Sequence, residues 1–139
     1  MRKNKHLIFK FVKFRIVMNS EELYERLFSF AQKNLDLVKR LPKTRYNLDY
    51  GSQLIRCSAS PGANYIEAVE GASRKDFIYR LKVCRKECKE SIHWLRLIKF
   101  ANKEVHDIVE DCDELIVEAR ELIRIFTSSV LTSEKNQKK

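Results

Sequence analysis

Apolar side chains recur along most of this chain at alternating intervals of three and four residues, which is the spacing of one buried face of an α-helix. The pattern is clearest in the second half, where it predicts one helix beginning after Ser73 and another from about Lys103 to Thr127. The Ser73 hydroxyl is expected to cap its helix by accepting from the amide of Asp76, whose carboxylate faces back in a variant of the capping box. The predicted core positions of these two helices are Phe77, Leu81, Cys84, Cys88, Ser91, Leu95 and Ile98, then Val105, Ile108, Val109, Cys112, Leu115, Ile116, Ala119, Leu122, Ile123 and Phe126.

The first half of the chain predicts two more helices. The earlier one runs from about Ser20 to Leu41, with Asn19 or Ser20 as its N-cap and Pro42 as its end. Acidic residues in its first turn interact favourably with the helix dipole. Its predicted core row is Leu23, Leu27, Phe30, Ala31, Leu35 (with Leu37 beside it), Val38 and Leu41.

The second helix contains a proline. It spans about Arg45 to Gly71, and because Pro61 removes one helical hydrogen bond and disfavours helical geometry at the preceding residue, we expect a kink or break near Ser60. The connection to the third helix, at Gly71 and Ala72, is very short. Long helices joined by short loops run antiparallel to their neighbours, so the sequence predicts an all-α, antiparallel up-down four-helix bundle.

Composition agrees with a single helical domain. The 139 residues include only 3 Gly and 2 Pro, and 34% are charged, so the chain has few turns and is long enough to form its own core. We expect the bundle to occupy residues 18–131, between a basic leader at 1–17 and a basic, disordered tail at 132–139.

Charge is distributed unevenly along the chain. Residues 1–17 carry six basic groups and no acid, and the last five residues carry three Lys; the other 19 of the 28 basic residues equal the 19 acidic ones. The net charge of +9 is therefore weak evidence for a nucleic-acid partner. Within the near-neutral body, residues 73–99 have nine basic groups against three acids, and residues 100–134 have three against nine. Such opposite faces can attract each other within one domain or between subunits.

The leader has no targeting signal that we can identify. Lys10, Lys13 and Arg15 interrupt any signal-peptide core. Three interpretations remain open: an upstream extension with Met18 as the natural start, a basic amphipathic arm that touches lipid or nucleic acid, or an additional strand. The first is favoured because Asn19 opens a helix directly after Met18. No segment has the roughly 20 uncharged apolar residues of a membrane span, so we expect a cytosolic protein without a membrane partner.

Basic residues on the third helix form a row with a seven-residue repeat, two positions before the core residues. At about 100° per residue this offset is about 200°, which places the row opposite the core. The row is either a solvated face or a surface that binds successive backbone phosphates with no sequence specificity. In a third interpretation, the acidic fourth helix of a neighbouring subunit neutralises the row, and no phosphate site remains. Aromatic side chains are sparse there, so we expect little base specificity. The candidate nucleic-acid-binding residues are Lys75, Lys82, Arg85, Lys86, Lys89 and Arg96.

Polar residues one turn apart on the second and third helices form a further set, within reach of Arg56, Arg80 or Arg85. They are interpreted as polar contacts that fix the register between helices or subunits. A ring around a pocket for a small cationic ligand is the functional alternative. The residues assigned to structural polar contacts are Arg56, Asn64, Glu67, Asp76, Glu87, Glu90 and Trp94.

Cysteine and histidine do not combine into a recognisable reactive centre. Cys84 and Cys88 lie one turn apart, but these two, Cys57 and Cys112 all sit on apolar rows or beside small residues, where free cysteine behaves as a buried hydrophobe. The Glu-x-x-His unit at residues 90–93 matches only half of a di-iron motif. We therefore expect no metal, no cofactor and no catalytic site, and a protein that is not an enzyme.

The segment QLIRCSASPGANYIEAVEGASRKDFIYRLKVCRKECKESIHWLRLI, residues 53–98, resembles the signature of the four-helix-bundle proteins encoded in intervening sequences of 23S ribosomal RNA. The likeness extends over roughly residues 20–130. The elements that match in order and spacing are 53–56, 63–67, 73–77 and the run from Glu87 through Glu90 to Trp94 and Leu95.

This resemblance implies a barrel-shaped homopentamer. A related branch, the accessory proteins of diversity-generating retroelements, implies a basic surface that engages nucleic acid and a reverse transcriptase. We therefore expect a non-enzymatic oligomer that binds RNA or DNA through backbone phosphates or, alternatively, an assembly hub or reverse-transcriptase accessory that contacts only protein. Two features depart from the family: the leader before Met18 has no counterpart, and Pro61 stands where the family has small residues.

Overall fold

The computed structural model describes residues 18–71 and 73–137, and within these ranges the chain forms four helices and no strand. In chain order they are α1 (Ser20–Arg40), α2 (Arg45–Glu70), α3 (Arg74–Ala101) and α4 (His106–Gln137). The prediction of an all-helical domain with four helices is therefore confirmed. The leader predicted at 1–17 lies outside the described residues.

Side chains that flank the helices explain where two of them begin. Asn19 caps α1, because its side chain accepts from the amide of Glu22 at 2.8 Å while the Glu22 carboxylate accepts from the amide of Asn19 at 3.2 Å. Ser73 caps α3 by accepting from the amide of Asp76 at 3.1 Å. The Asp76 carboxylate makes no return bond within the part of the chain that the structure describes, so the second half of that predicted capping box is missing.

The core lies along the three-four rows of all four helices. Every predicted core position of α3 is buried. Two predictions elsewhere are wrong: Leu35 is 42% exposed and Val105 is 39% exposed, whereas Leu37 is fully buried. The inward row of α1 passes through Asn34, a polar residue that is 0% exposed and donates to the carbonyl of Phe30 at 2.7 Å.

Two predicted helix limits are also wrong. A kink or break was expected near Ser60; no break occurs, since α2 continues through Pro61, which is buried. Helix α4 extends beyond its predicted end near Thr127 to Gln137, so residues 132–137 are helical and not a disordered tail. The Ser129 hydroxyl donates to the carbonyl of Ile125 at 2.9 Å, which lets a polar residue continue the helix without competing for its amide bonds.

Each helix packs against two neighbours, in the cyclic order α1, α2, α3, α4 and back to α1. The α1–α2 edge of the domain therefore lies opposite the α3–α4 edge. Helices α1 and α2 approach so closely at Gly51 that an added Cβ would lie 2.8 Å from Cγ1 of Val38. Near the beginning of α2, Asn47 and Asn102 exchange two amide hydrogen bonds of 2.9 Å and join α2 to the end of α3.

Among the helices of the described ranges, none combines the length and the apolar character that crossing a bilayer requires.

Candidate nucleic-acid interface

The basic residues predicted as a row on α3 lie along its outer side. We call this set the cationic row. Because the core positions of the same helix are all buried, these long side chains extend away from the core and their charged groups reach water. The exposed members are Lys75, Lys82, Lys86, Lys89 and Arg96, and Arg85 is half-buried.

Acidic residues of the same chain neutralise part of the cationic row. The Nζ atom of Lys82 lies 3.0 Å from Oε1 of Glu134 on α4, and that of Lys86 lies 3.8 Å from Oε1 of Glu87. The side chains of Lys82 and Glu134 are both at least 40% exposed, and an exposed pair of this kind contributes little to stability. Within residues 18–71 and 73–137, the members of the row without an ion pair are Lys75, Arg85, Lys89 and Arg96.

Two arginines join α2 to α3 beside the cationic row. Arg56 donates to Glu87 at 3.4 Å and also to Glu90, and the hydrogen bond with Glu90 raises the pKa of its guanidinium. Glu87 is buried, with its side chain 8% exposed, so its charge is held by this arginine. Farther toward the beginning of α3, Arg80 donates to Oδ1 of Asn64 at 3.0 Å. These contacts hold α3, and with it the cationic row, in a fixed register on α2.

The remaining residues predicted as polar contacts behave differently. Glu67 is exposed and has no hydrogen-bond or ion-pair partner among the described residues. Trp94 packs its ring against Tyr50 and His93, at centroid distances of 5.9 and 4.9 Å. Its Nε1 atom is buried without a hydrogen-bond partner in the described part of the chain. Trp94 therefore contributes aromatic packing between α2 and α3 and not the predicted polar contact.

A groove of about 680 Å³ lies between the end of α3 and the first half of α4. It begins at Arg96, the last member of the cationic row. The sequence reasoning missed it, although Lys99, Phe100 and Lys103 follow Arg96 at the three-four spacing of one helix face. We call it the α3–α4 groove; its lining residues are Arg96, Lys99, Phe100, Lys103, Val109, Asp113, Ile116, Val117 and Arg120.

The opposite edge of the domain exposes apolar side chains in two rows. On α1, the Phe28 ring stacks on Tyr24 at 6.2 Å and is followed two turns later by Leu35. On α2, Leu48 and Ile55 are likewise two turns apart, and Ile66 lines a groove of about 320 Å³ shared with Tyr24. Large contiguous apolar patches on a monomer mark interaction sites, so these exposed side chains are candidates for a protein contact. We call this set the apolar edge; it comprises Phe28, Leu35, Leu48, Ile55 and Ile66, which are between 38% and 64% exposed.

All four cysteines are free thiols and buried. Burial raises the pKa of Cys57 to about 11 and that of Cys84 to about 12, so both thiols are protonated at neutral pH. Protonated, inaccessible thiols are neither nucleophiles nor metal ligands. In the part of the chain that the structure describes, no three His, Cys, Asp or Glu side chains come together as a metal site.

The family model for 23S rRNA-intervening sequence proteins matches residues 19–128, which includes the whole of α1, α2 and α3 and most of α4. The chain belongs to this family. No curated protein matches the chain.

A solved structure shares the fold. It is a protein of unknown function from the S23 ribosomal protein family of Bacteroides thetaiotaomicron, with a TM-score of 0.70 and 25% sequence identity. The alignment covers 80% of this chain and 96% of that one. The description of the Bacteroides protein and that of the family model state no catalytic activity and no ligand of the protein itself.

Proposed function

We propose that this protein is a non-enzymatic RNA-binding oligomer of the cytoplasm, which contacts RNA phosphates through the cationic row. One observation carries the proposal: four members of the row have no ion pair in the described part of the chain, although α4 is acidic and adjacent. Lys75 and Lys89 are two of them, and both are exposed. Seven helical residues span about 10 Å, so several phosphates of one strand could be contacted in succession.

We further propose that the four helices form an antiparallel up-down bundle that assembles as a homopentamer. The direction of the helices is supported by contacts between neighbours, in which Asn64 meets Arg80 while Asn47 meets Asn102. Self-association is supported by the apolar edge, and the number five by the resemblance to the family. A closed ring of five needs two different contact surfaces on each subunit; we assign the apolar edge to one of them and leave the cationic row outside both.

Charge reversal on the cationic row tests RNA binding. Lys75→Glu with Lys89→Glu should weaken the affinity for RNA strongly, and should flatten its dependence on log salt by about 0.7 to 0.9 for each phosphate that is no longer bound. The matched control is Lys33→Glu with Lys43→Glu, which makes the same change in net charge at two exposed lysines outside α3. Equal losses in both variants would show that net charge, and not the cationic row, attracts RNA. Unchanged binding in the first variant would overturn the proposal.

A polar substitution on the apolar edge tests assembly. Phe28→Asp with Ile55→Asp should convert the oligomer to a smaller species in light scattering, because charged groups would have to be desolvated at the subunit contact. Phe100→Ser, on the opposite edge, is the control and should leave the mass unchanged. A wild-type protein that is monomeric at micromolar concentration would contradict self-association.

A protein-only assembly hub, such as a reverse-transcriptase accessory subunit, is the second candidate function. The apolar edge favours it, since the same side chains suit a protein partner as well as another copy of the chain. The two candidates differ in the behaviour of the purified protein. If it assembles but binds no RNA at physiological salt, the hub is supported and the cationic row is a solvated surface.

A further inference from the structure

Helix α4 is acidic, but the α3–α4 groove that it helps to line is mainly basic. Four cations line it, against the single carboxylate of Asp113. The Nζ atom of Lys99 lies 2.7 Å from Oδ1 of that carboxylate and forms an ion pair with it. Within the described residues, Arg96, Lys103 and Arg120 have no ion pair. A concave surface lined by one sign of charge concentrates counterions, so this groove attracts a polyanion.

An aromatic ring lies at the mouth of the same groove. Phe100 is 71% exposed, the largest value among the exposed large hydrophobic residues of the described chain. The Nζ atom of Lys103 lies over one face of its ring, 5.2 Å from the centre, so a base would stack on the other face. Val117, across the groove on α4, is 58% exposed. The groove therefore offers a flat apolar surface beside positive charge, and such a surface is suited to a flat, uncharged group carried on an anionic chain.

These features identify the chemistry of the occupant, given the RNA-binding function proposed above, on which the inference rests. We propose that the α3–α4 groove binds an unpaired nucleotide of single-stranded RNA, with its base stacked on Phe100 and its adjacent phosphates on Arg96, Lys103 and Arg120. Aromatic side chains stack on any base because every base has a π-face. In a duplex those faces are covered by neighbouring bases, so the groove selects single strands. An acidic peptide would use the cations but has no need of the exposed ring.

The groove extends the cationic row and does not compete with it. Arg96 belongs to both, and Lys89 lies two turns before it on α3. A strand bound along the row would therefore lead directly into the groove. The expectation of little base specificity is retained, because stacking on one phenyl ring distinguishes single from double strands and not one base from another.

Phe100→Leu tests the inference, since it keeps an apolar side chain and removes the aromatic face. In fluorescence anisotropy with labelled oligouridylate, we expect a loss of affinity of about 5- to 150-fold, the usual contribution of one stacked base. Phe100→Leu should not change the binding of a duplex RNA of equal length. Phe100→Trp, which keeps an aromatic face, should bind single strands as the wild type does. The matched control is Tyr79→Leu: Tyr79 is 61% exposed on the same helix, with the guanidinium of Arg80 5.8 Å from its ring, but lies outside the groove.

The outcomes separate this inference from the function on which it rests. If the wild type binds oligouridylate and the Lys75→Glu, Lys89→Glu variant does not, while Phe100→Leu binds as the wild type does, then the inference is wrong and the proposed function stands. Equal losses for Phe100→Leu and Tyr79→Leu would also overturn it. A wild type that binds no RNA would overturn both. Selective loss of single-strand binding in Phe100→Leu supports both.

Discussion

Replacing Asn102 by alanine should cost the domain about 3 kcal/mol of folding free energy. The Asn102 side chain donates to Oδ1 of Asn47, accepts from Nδ2 of Asn47 and donates to the carbonyl of Ile98, at 2.9, 2.9 and 2.8 Å. Both asparagines are buried, at 3% and 4% exposure. A neutral hydrogen bond contributes about 1 kcal/mol net, and a buried group left without a partner costs about 1 to 3 kcal/mol. After the substitution, Oδ1 of Asn47 is such a group, while its Nδ2 keeps the carbonyl of Pro42.

Urea unfolding followed by circular dichroism at one fixed protein concentration measures this loss, since assembly adds a concentration-dependent stability. Asn47→Ala should cost a similar amount, and the double variant should cost about 1 to 2 kcal/mol less than the sum of the two, because the shared bonds can be lost only once. Gln53→Ala, exposed on α2, is the control and should change stability by less than about 0.5 kcal/mol. A loss below about 1 kcal/mol for Asn102→Ala, or strict additivity in the double variant, would refute the reasoning.

Three further predictions concern the cap of α1, the α1–α2 contact and the buried thiols. Asn19→Ala should lower the free energy of unfolding by about 1 kcal/mol, measured in urea, and Asn19→Ser should recover most of it. Gly51→Ala should destabilise despite its better helix propensity, because its Cβ would lie 2.8 Å from Cγ1 of Val38; adding Val38→Ala should reverse the loss, and a stable single variant would contradict this contact. Burial raises the pKa of the Cys84 thiol from 9.0 to about 12, so its contribution to stability is complete below pH 9 and falls by about 1.4 kcal/mol per pH unit above it. Urea titrations at pH 8 and 10 should show a smaller decrease in Cys84→Ala than in the wild type, and equal decreases would refute the assignment.

The periodicity of α3 predicted seven inward positions that are all buried, because no large polar residue interrupts that row, but it missed Ile78 and Glu87, which are buried beside it. In α1 the same reasoning placed Leu35 on the core row, with Leu37 beside it, but Leu35 is exposed and Leu37 is buried. The inward row there includes Asn34, whose Nδ2 donates to the carbonyl of Phe30 in its own helix. A row that contains a buried amide has lower apparent hydrophobicity than the exposed row beside it, so periodicity alone added the exposed Leu35 to the core.

The limits of α2 and α4 depended on packing that local propensity does not contain. Pro61 is enclosed by the core, and its carbonyl accepts from the Cys84 thiol at 3.3 Å, so tertiary contacts offset the missing amide bond and α2 continues. Helix α4 was expected to end near Thr127, but the Thr132 hydroxyl donates to the carbonyl of Ser128 at 2.8 Å and Val130 is buried. Whether these residues form a helix or a loop depends on which of them pack against the rest of the domain, and the local sequence does not show this.

For the candidate site, the sequence predicted which cations share a face but not which of them are neutralised. The seven-residue repeat of the cationic row follows directly from helix geometry. The ion pair between Lys82 and Glu134 joins residues far apart in the chain, in a part of α4 that was expected to be disordered. The α3–α4 groove was missed for the same reason, since half of its lining comes from α4. A local signal was present, since Arg96, Lys99, Phe100 and Lys103 have the three-four spacing that places an apolar residue among cations on one face.

Helices α1 and α4 pack against each other less extensively than the other neighbouring helices do, and two ion pairs join them. Arg26 donates to Glu118 at 2.6 Å, and Arg40 pairs with Asp111. Dissolved ions screen such pairs, whereas they strengthen the burial of hydrocarbon. Local opening of the fold should therefore begin by detachment of the first helix along this seam, and amide protons of α1 should exchange with solvent sooner as the ionic strength rises.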